Sequence, residues 1–385
     1  MKHKYISKKY WKDMSTPMGA VDELAKMYDD VINLSLGDPD MTTPGPIIDY
    51  AFEQAHLGHT KYTDFRGDPE LRLAIADDYK ESFGVSIDDK EIMVTASACL
   101  GMYLSLEAIL DPGDEVLIHA PYFTPYPQQI QLAGGVPVEV ATYEENDFQL
   151  VLEDLEAAVT ERTKAMIINS PNNPSGTVFN IDTLKVISEI ARKYDLLIIS
   201  DEIYGAYTFK DKFVSLIEFE EIRDRLIILN SFSKDYTMTG WRVGNIIGPD
   251  YIVETCQMIN ENVVFTAPSI SQRAAIYALK HKRELQPEMV SLYKSRVLKA
   301  YDLIQNIPWM SVLEPKGTFY LFINIKKTGK TSEEVSKIIL EEAKVLTIPG
   351  NAFGKCGEGY VRIACTVDEN TLEKAFKRIS QIKLG

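Results

Sequence analysis

The run Ser231-Phe232-Ser233-Lys234, with Arg242 eight residues further on, gathers two hydroxyls, an amine and a guanidinium into one short stretch. It follows an apolar run, Leu226-Ile227-Ile228-Leu229, that reads as a buried strand. Lys234 is therefore expected just past a strand end, where open α/β sheets place their ligands. A lysine near apolar surface loses its proton more readily, because desolvation disfavours the charged form. Its neutral amine can attack a carbonyl and form an imine. Ser231, Ser233 and Arg242 then supply donors for an anion beside that imine. The same residues also fit an ordinary surface lysine near a strand end, and taken alone they do not choose between the two.

Other strand ends carry chemistry of their own. Leu196–Ser200 reads as a buried strand that ends in Asp201, and a carboxylate there is costly unless something positive pairs with it. Tyr204 follows three residues later. Ile92–Thr95 and the helix expected over 100–110 are joined by Ala96-Ser97-Ala98-Cys99, small residues whose backbone N–H groups can point at an anion at a helix start. Phe123 comes just after the strand Glu115–His119 and either stacks on a flat ring or packs in the core. Ser170-Pro171-Asn172-Asn173-Pro174-Ser175-Gly176 is a turn on any reading.

Ser-x-Ser-Lys followed by Gly240-Trp241-Arg242-Val243-Gly244 resembles the lysine region of the class I/II aminotransferases, the fold type I pyridoxal phosphate (PLP) enzymes of the aspartate aminotransferase kind. The resemblance recurs in Gly37-Asp38-Pro39-Asp40, in Tyr62 with Gly67…Leu71-Arg72, in the 170–176 turn, in Asp201…Tyr204 and in Gly359-Tyr360-Val361-Arg362-Ile363-Ala364. It covers nearly the whole chain. At Ser97 the family usually carries glycine; donation by the Ala98 and Cys99 backbones survives that change.

What the resemblance implies is an aminotransferase with PLP on Lys234, whose amine, once freed, moves the Cα proton of an L-amino acid to the cofactor. Asp201 would keep the ring nitrogen protonated. Asn173 and Tyr204 would bond the phenolic oxygen, and Phe123 would stack on the ring. Ser231, Ser233, Arg242, Ala98, Cys99 and the partner subunit's Tyr62 would grip the phosphate. Gly37, Asn173 and Arg362 would meet the substrate, the arginine fork matching a carboxylate in a way lysine cannot. The expected partners are small: an amino acid, a 2-oxo acid (commonly 2-oxoglutarate) and a second copy of the chain, forming a homodimer with shared active sites.

These groups need a scaffold that brings many strand ends together. Short apolar strands alternating with helices predict an α/β fold with a mostly parallel central sheet flanked by helices, plus a smaller α+β domain. The large PLP-binding domain is expected at 46–280, and the small one from 1–45 and 281–385. A helix is expected from Ser15-Thr16-Pro17 through Tyr28, with Val21, Leu24 and Ala25 in its apolar stripe.

With 385 residues the chain is long enough for both units. A net charge of −15 argues against a nucleic-acid partner. The four cysteines, Cys99, Cys256, Cys356 and Cys365, are widely spaced, which suits reduced thiols better than disulfides or a metal. No apolar stretch reads as a signal peptide or a membrane span, so a cytoplasmic protein is expected. Two alternatives stay open. One is a PLP lyase that eliminates a β-substituent on the same fold. The other is a non-enzymatic PLP-binding regulatory domain, which would need an added DNA-binding module and is disfavoured by the acidic balance. A dehydrogenase is disfavoured because no G-x-G-x-x-G follows the first strand.

Overall fold

The computed structural model describes residues 3–11, 26–210 and 212–384. The helix expected from Ser15 lies outside them up to residue 25, and Tyr28 sits in a bend. In chain order the strands are β1 (Ile32–Asn33), β2 (Ile92–Thr95), β3 (Glu115–Ala120), β4 (Val136–Ala141), β5 (Thr163–Asn169), β6 (Leu197–Asp201), β7 (Leu226–Ser231), β8 (Gly244–Ile247), β9 (Tyr320–Asn324), β10 (Val345–Leu346), β11 (Ile348–Pro349) and β12 (Tyr360–Ala364). The helices used below are α1 (Gly45–His56), α2 (Pro69–Phe83), α3 (Ala98–Ile109), α4 (Tyr126–Leu132), α5 (Leu152–Ala158), α6 (Ile181–Lys193), α7 (Phe232–Asp235), α8 (Asp250–Glu261), α9 (Ser269–Lys280), α10 (Lys282–Ile304), α11 (Ser332–Ile338) and α12 (Glu369–Ile379).

Seven strands form the central sheet in the order β2-β8-β7-β6-β5-β3-β4. Only β8 runs against its neighbours; the pairs β3–β4, β3–β5, β5–β6 and β6–β7 are parallel. The mostly parallel sheet flanked by helices is thus as predicted. Its inner strands β5, β6 and β7 are apolar over most of their length because both faces are covered. Alternation assigns each side chain to a face. Met166, Ile168, Ile198 and Ile228 join the core under α2 and α6. Ala165, Ile167, Ile199, Ile227 and Leu229 join the core under α3 and α8.

A third cluster unites α10, β9, β12 and α12 through residues such as Tyr293, Val297, Leu321, Ile363 and Phe376. Here β9 and β12 pair antiparallel, and β11 adds to the other edge of β12. The short β1 pairs parallel with β10, which brings the turn after residue 33 beside this second sheet. The ends of β3, β5, β6 and β7 and the middle of β12 consequently surround one crevice. No helix among the described residues is long and apolar enough to cross a membrane, and no group of three or more His, Cys, Asp or Glu among them is arranged to hold a metal ion.

Candidate active site

Parallel register sets the first part of the site. Asn169 and Asp201 are paired neighbours at the ends of β5 and β6. The Asn169 amide donates to the Asp201 carbonyl at 3.0 Å, and its side-chain oxygen accepts from the Asn173 backbone at 2.9 Å. One asparagine thereby ties the 170–176 turn to the strand that carries the acid. One strand further on, β7 ends at Ser231, whose hydroxyl caps the single turn α7 by accepting from the Ser233 N–H at 3.1 Å. That turn carries Lys234, and the Tyr207 hydroxyl fixes its backbone by donating to the Lys234 carbonyl at 3.0 Å.

The Lys234 amine and the Asp201 carboxyl line the same cleft, of about 500 Å³. Burial lowers the amine to about 8; nearby Asp38 pulls it back up, while Arg362 and Arg242 add to the lowering. An amine at that value is readily freed of its proton, which nucleophilic and proton-transfer chemistry both require. Its hydrogen bond goes to the Gly37 carbonyl. Asp201 is 5 % exposed, and burial lifts its carboxyl to about 6. The Tyr126 hydroxyl, donating at 2.5 Å, and the Ile203 N–H, at 3.3 Å, oppose that rise. No lysine, arginine or histidine among the described residues forms an ion pair with it.

The far wall is built by β12 and β9. Arg362 lies mid-strand yet is only 1 % exposed, with its guanidinium 4.6 Å from the Tyr320 ring centre and 5.0 Å from that of Phe353. It donates to the Asn173 side-chain oxygen at 3.0 Å and to the Ser35 carbonyl, leaving Nε buried without a partner. Asn173 thus keeps its amide nitrogen as a donor. Tyr204 and Tyr320 share a hydrogen bond at 3.0 Å between their hydroxyls, and burial holds the Tyr204 phenol far above its ordinary value, so it stays protonated. Gly37 packs against this pair: a Cβ there would lie 1.7 Å from the Tyr320 hydroxyl oxygen. No other residue type fits at position 37 without moving Tyr320.

A smaller hollow adjoins the cleft, sharing Phe123, Asp201 and Lys234 with it and lined beyond them by Ser97, Ala98, Cys99, Ser231, Ser233 and Arg242. The start of α3 opens here, with its N-terminal dipole and free N–H groups. Ser97 caps that helix by accepting from the Leu100 N–H at 3.1 Å, and its backbone (φ 154°, ψ 159°) is in a region that glycine alone enters freely. Strain held at such a point marks a position whose surroundings over-determine it: the neighbouring Gly244 is so close that a Cβ would sit 2.6 Å from the Ala98 nitrogen. Arg242 is likewise held with φ at 56°. Its guanidinium donates to the Thr239 carbonyl at 2.7 Å.

Of the residues singled out in the sequence, twelve line these two adjoining hollows: Gly37, Ala98, Cys99, Phe123, Asn173, Asp201, Tyr204, Ser231, Ser233, Lys234, Arg242 and Arg362. Tyr62 does not. It is 80 % exposed, and its ring meets Phe265 edge-on at 4.8 Å. Three contributors escaped the sequence reading: Tyr126, Asn169 and Tyr320. Tyr126 and Tyr320 reach their partners only through packing of distant segments, whereas Asn169, at the end of β5, bonds both the nearby Asn173 backbone and the distant Asp201 carbonyl.

The model of the family "aminotransferase class I and II" matches residues 29–379. An aspartate aminotransferase of Pyrococcus abyssi is 41 % identical over 94 % of this chain and 95 % of its own. An aromatic-amino-acid aminotransferase of Thermococcus litoralis is 38 % identical over 94 % of this chain and 93 % of its own. Among solved structures, the aspartate aminotransferase of Thermus thermophilus with maleate superposes with a TM-score of 0.93 at 29 % identity, covering 98 % of this chain and all (100 %) of the other.

Proposed function

The chain belongs to the class I and II aminotransferases, and on that premise we propose that it moves an amino group from an L-amino acid to 2-oxoglutarate, using pyridoxal phosphate held on Lys234. The observation that carries this reading is Asp201: a buried carboxyl, lifted by desolvation and without a cationic partner among the described residues, in one cleft with an amine whose proton is loosely held. A pyridinium N–H is the missing partner such a carboxylate calls for. The donor set of the adjoining hollow, two serine hydroxyls, a guanidinium and the α3 N-terminus, suits a phosphate. The residues present therefore fit the group.

When bound, pyridoxal phosphate supplies a protonated conjugated ring that takes up the electron pair of a broken Cα–H bond. Everything else is work for the chain. Asp201 keeps the ring nitrogen charged, and Tyr126 holds Asp201 in place. Asn173 and Tyr204 would donate to the phenolic oxygen, and Phe123 would pack against the ring. Ser231, Ser233, Arg242 and the N–H groups of Ala98 and Cys99 hold the phosphate. Arg362 takes the substrate carboxylate with its planar fork, beside the Gly37 backbone. The Lys234 amine, once freed, would take the proton from the substrate Cα and hold it for return.

The reading includes a cytoplasmic homodimer in which Tyr62 completes the partner's phosphate site, supported by the exposure of Tyr62 outside its own cleft. It also keeps the division into a large unit at 46–280 and a small unit from 1–45 and 281–385, supported by apolar clusters that follow it except at Tyr204, Tyr207 and Met289.

The test is a single turnover. An amino acid offered without any acceptor should bleach the visible absorbance of the loaded enzyme once, and 2-oxoglutarate should restore it. Aspartate and an aromatic amino acid are both tried as donors. Steady release of pyruvate and ammonia from cysteine, with no acceptor required, would instead make the protein a lyase.

A further inference from the structure

Tyr320, the first residue of β9, stands where three parts of the cleft meet. Its hydroxyl is bonded to that of Tyr204 at 3.0 Å. The Arg362 guanidinium lies over its ring, 4.6 Å from the centre. Its oxygen closes on Gly37, whose carbonyl accepts from the Lys234 amine. The tyrosine is itself firmly held: β9 pairs it with Ala364 of β12, its N–H donates to the Thr318 hydroxyl at 3.0 Å, and it is 3 % exposed. Phe319 packs against both tyrosine rings, 5.5 Å from that of Tyr204 and 4.9 Å from that of Tyr320.

A tyrosine hydroxyl has one proton to give and lone pairs to accept with. Of the two protons in this pair, one is committed to the bond between the hydroxyls and the other can point into the cleft, which Tyr204 and Asn173 both line. An anionic oxygen in the cleft accepts and cannot donate. Once Tyr204 gives its proton to such an oxygen, the bond between the tyrosines can only run from Tyr320 to Tyr204. The charges facing the pair suit that direction. Burial raises both phenols, Tyr204 the further, with Asp201 adding to the rise there and Asp38 to that at Tyr320; Arg362 opposes both. The Tyr320 proton is thus the more easily shared. A hydroxyl that accepts one bond also donates a stronger one, by about 10 to 30 %.

We propose, on the reading of this cleft as a pyridoxal phosphate site, that Tyr320 is a positioning residue for amino transfer. Its hydroxyl donates to Tyr204 and turns the Tyr204 O–H onto the cofactor's phenolic oxygen, while its ring holds the Arg362 fork in place for the substrate carboxylate. In an imine of pyridoxal phosphate the proton on nitrogen bonds to that same phenolic oxygen. Strong donation from Tyr204 competes for the oxygen and loosens the imine proton, so the Tyr320 hydroxyl acts on that proton through Tyr204 without touching the cofactor.

Tyr320→Phe removes the hydroxyl and keeps the ring. In spectrophotometric titration of the cofactor-loaded enzyme, the pH midpoint of the visible band should rise by about half a unit, a roughly threefold tighter hold on the imine proton. Tyr204→Phe should raise it further. Adding Tyr320→Phe to Tyr204→Phe should then move the midpoint no more, because the group that Tyr320 acts through is gone. Tyr320→Leu removes the ring as well and should raise KM for the amino acid by about fivefold over Tyr320→Phe. A midpoint unmoved in Tyr320→Phe would overturn the proposal, and so would equal rises in the native and Tyr204→Phe backgrounds. Cofactor-free Tyr320→Phe that unfolds at far lower denaturant than the native chain would make the tyrosine merely structural and overturn it too. A native enzyme whose visible band does not respond to pH, or that has none, would remove the pyridoxal phosphate reading itself and this role with it.

Discussion

Replacing Asp201 by asparagine separates what the carboxyl costs the empty fold from what it does in the loaded one. Burial holds the folded carboxyl at about 6, against 3.8 for the ordinary group. Below both values the group is protonated in the folded and unfolded chain alike and contributes nothing to the difference. As pH rises through this window the unfolded chain ionises freely, whereas the folded chain must ionise a carboxyl away from water. A gap of roughly two units at 1.36 kcal/mol each gives a penalty of about 3 kcal/mol for the cofactor-free fold at pH 7 to 8. Asparagine has nearly the same shape and cannot ionise. The stability of cofactor-free Asp201→Asn relative to the native protein should therefore climb by about 2 to 3 kcal/mol between pH 4 and pH 8. Denaturant unfolding at each pH, with matched slopes, measures it. Asp235, which burial also raises to about 7, cancels in the difference because both proteins carry it; Glu202, raised to about 7 chiefly by burial, loses in the variant only the lesser repulsion from Asp201. With saturating pyridoxal phosphate that advantage should disappear, the variant losing cofactor affinity by on the order of 10²-fold for a lost interaction of similar size. A stability difference that stays flat with pH would refute the desolvation argument, and with it the reason given for a pyridinium partner.

Arg362→Lys keeps the charge but not the fork; kcat/KM should fall by on the order of 10²-fold while cofactor binding is nearly unchanged, and the reverse pattern in steady-state kinetics would put this arginine in the wrong role. Gly37→Ala brings a Cβ to 1.7 Å from the Tyr320 hydroxyl oxygen, so the turn or the tyrosine must shift, and kcat/KM should drop by about tenfold or more; native kinetics would show that the approach is not needed. Mixing Tyr62→Phe with Lys234→Ala subunits should restore native-like sites in mixed dimers, because one of the two sites then carries neither lesion. No gain over the separate variants, with subunit exchange demonstrated, would confine Tyr62 to its own subunit.

What the sequence disclosed and what it hid follow one division. Apolar runs bounded by turns mark β2, β3, β5, β6 and β7, because strands covered on both faces are apolar over most of their length. Their ends carry Thr95, Asn169, Asp201 and Ser231, so the residues just beyond them were legible as site candidates. The strand β4 carries no such mark: it lies at the sheet edge, follows Gly134-Gly135 and contains Pro137, all signals that argue against a strand interior. Helices α4 and α5 are only seven residues each, two turns in which apolar periodicity has little room to show. At Arg362 strand periodicity says little, since an arginine within a strand usually faces solvent; only the sealing of β12 by β9, β11 and Ser35 buries it. Tyr126 and Tyr320 meet their partners 75 and 116 residues away, a distance at which no local pattern speaks.

The cleft is incomplete in a way that agrees with its proposed use. Asp201 has hydrogen-bond donors but no cation among the described residues. Arg362 has two acceptors, neither of them a carboxylate, and one buried N–H with none. Lys234 is lowered to about 8 by its own burial and by two neighbouring guanidinium groups, with the exposed Asp38 drawing it back. A fold selected for stability alone would pair these charges with one another or replace them by apolar residues of similar volume. Here the sheet and the β9–β12 wall hold them apart instead. Each lacks what one part of the proposed reactants brings: a ring N–H for Asp201, a carboxylate for Arg362, a carbonyl carbon for Lys234. Binding energy from those three complements is then available where the chemistry needs it, since the chain has already met the cost of burying the groups while it folded.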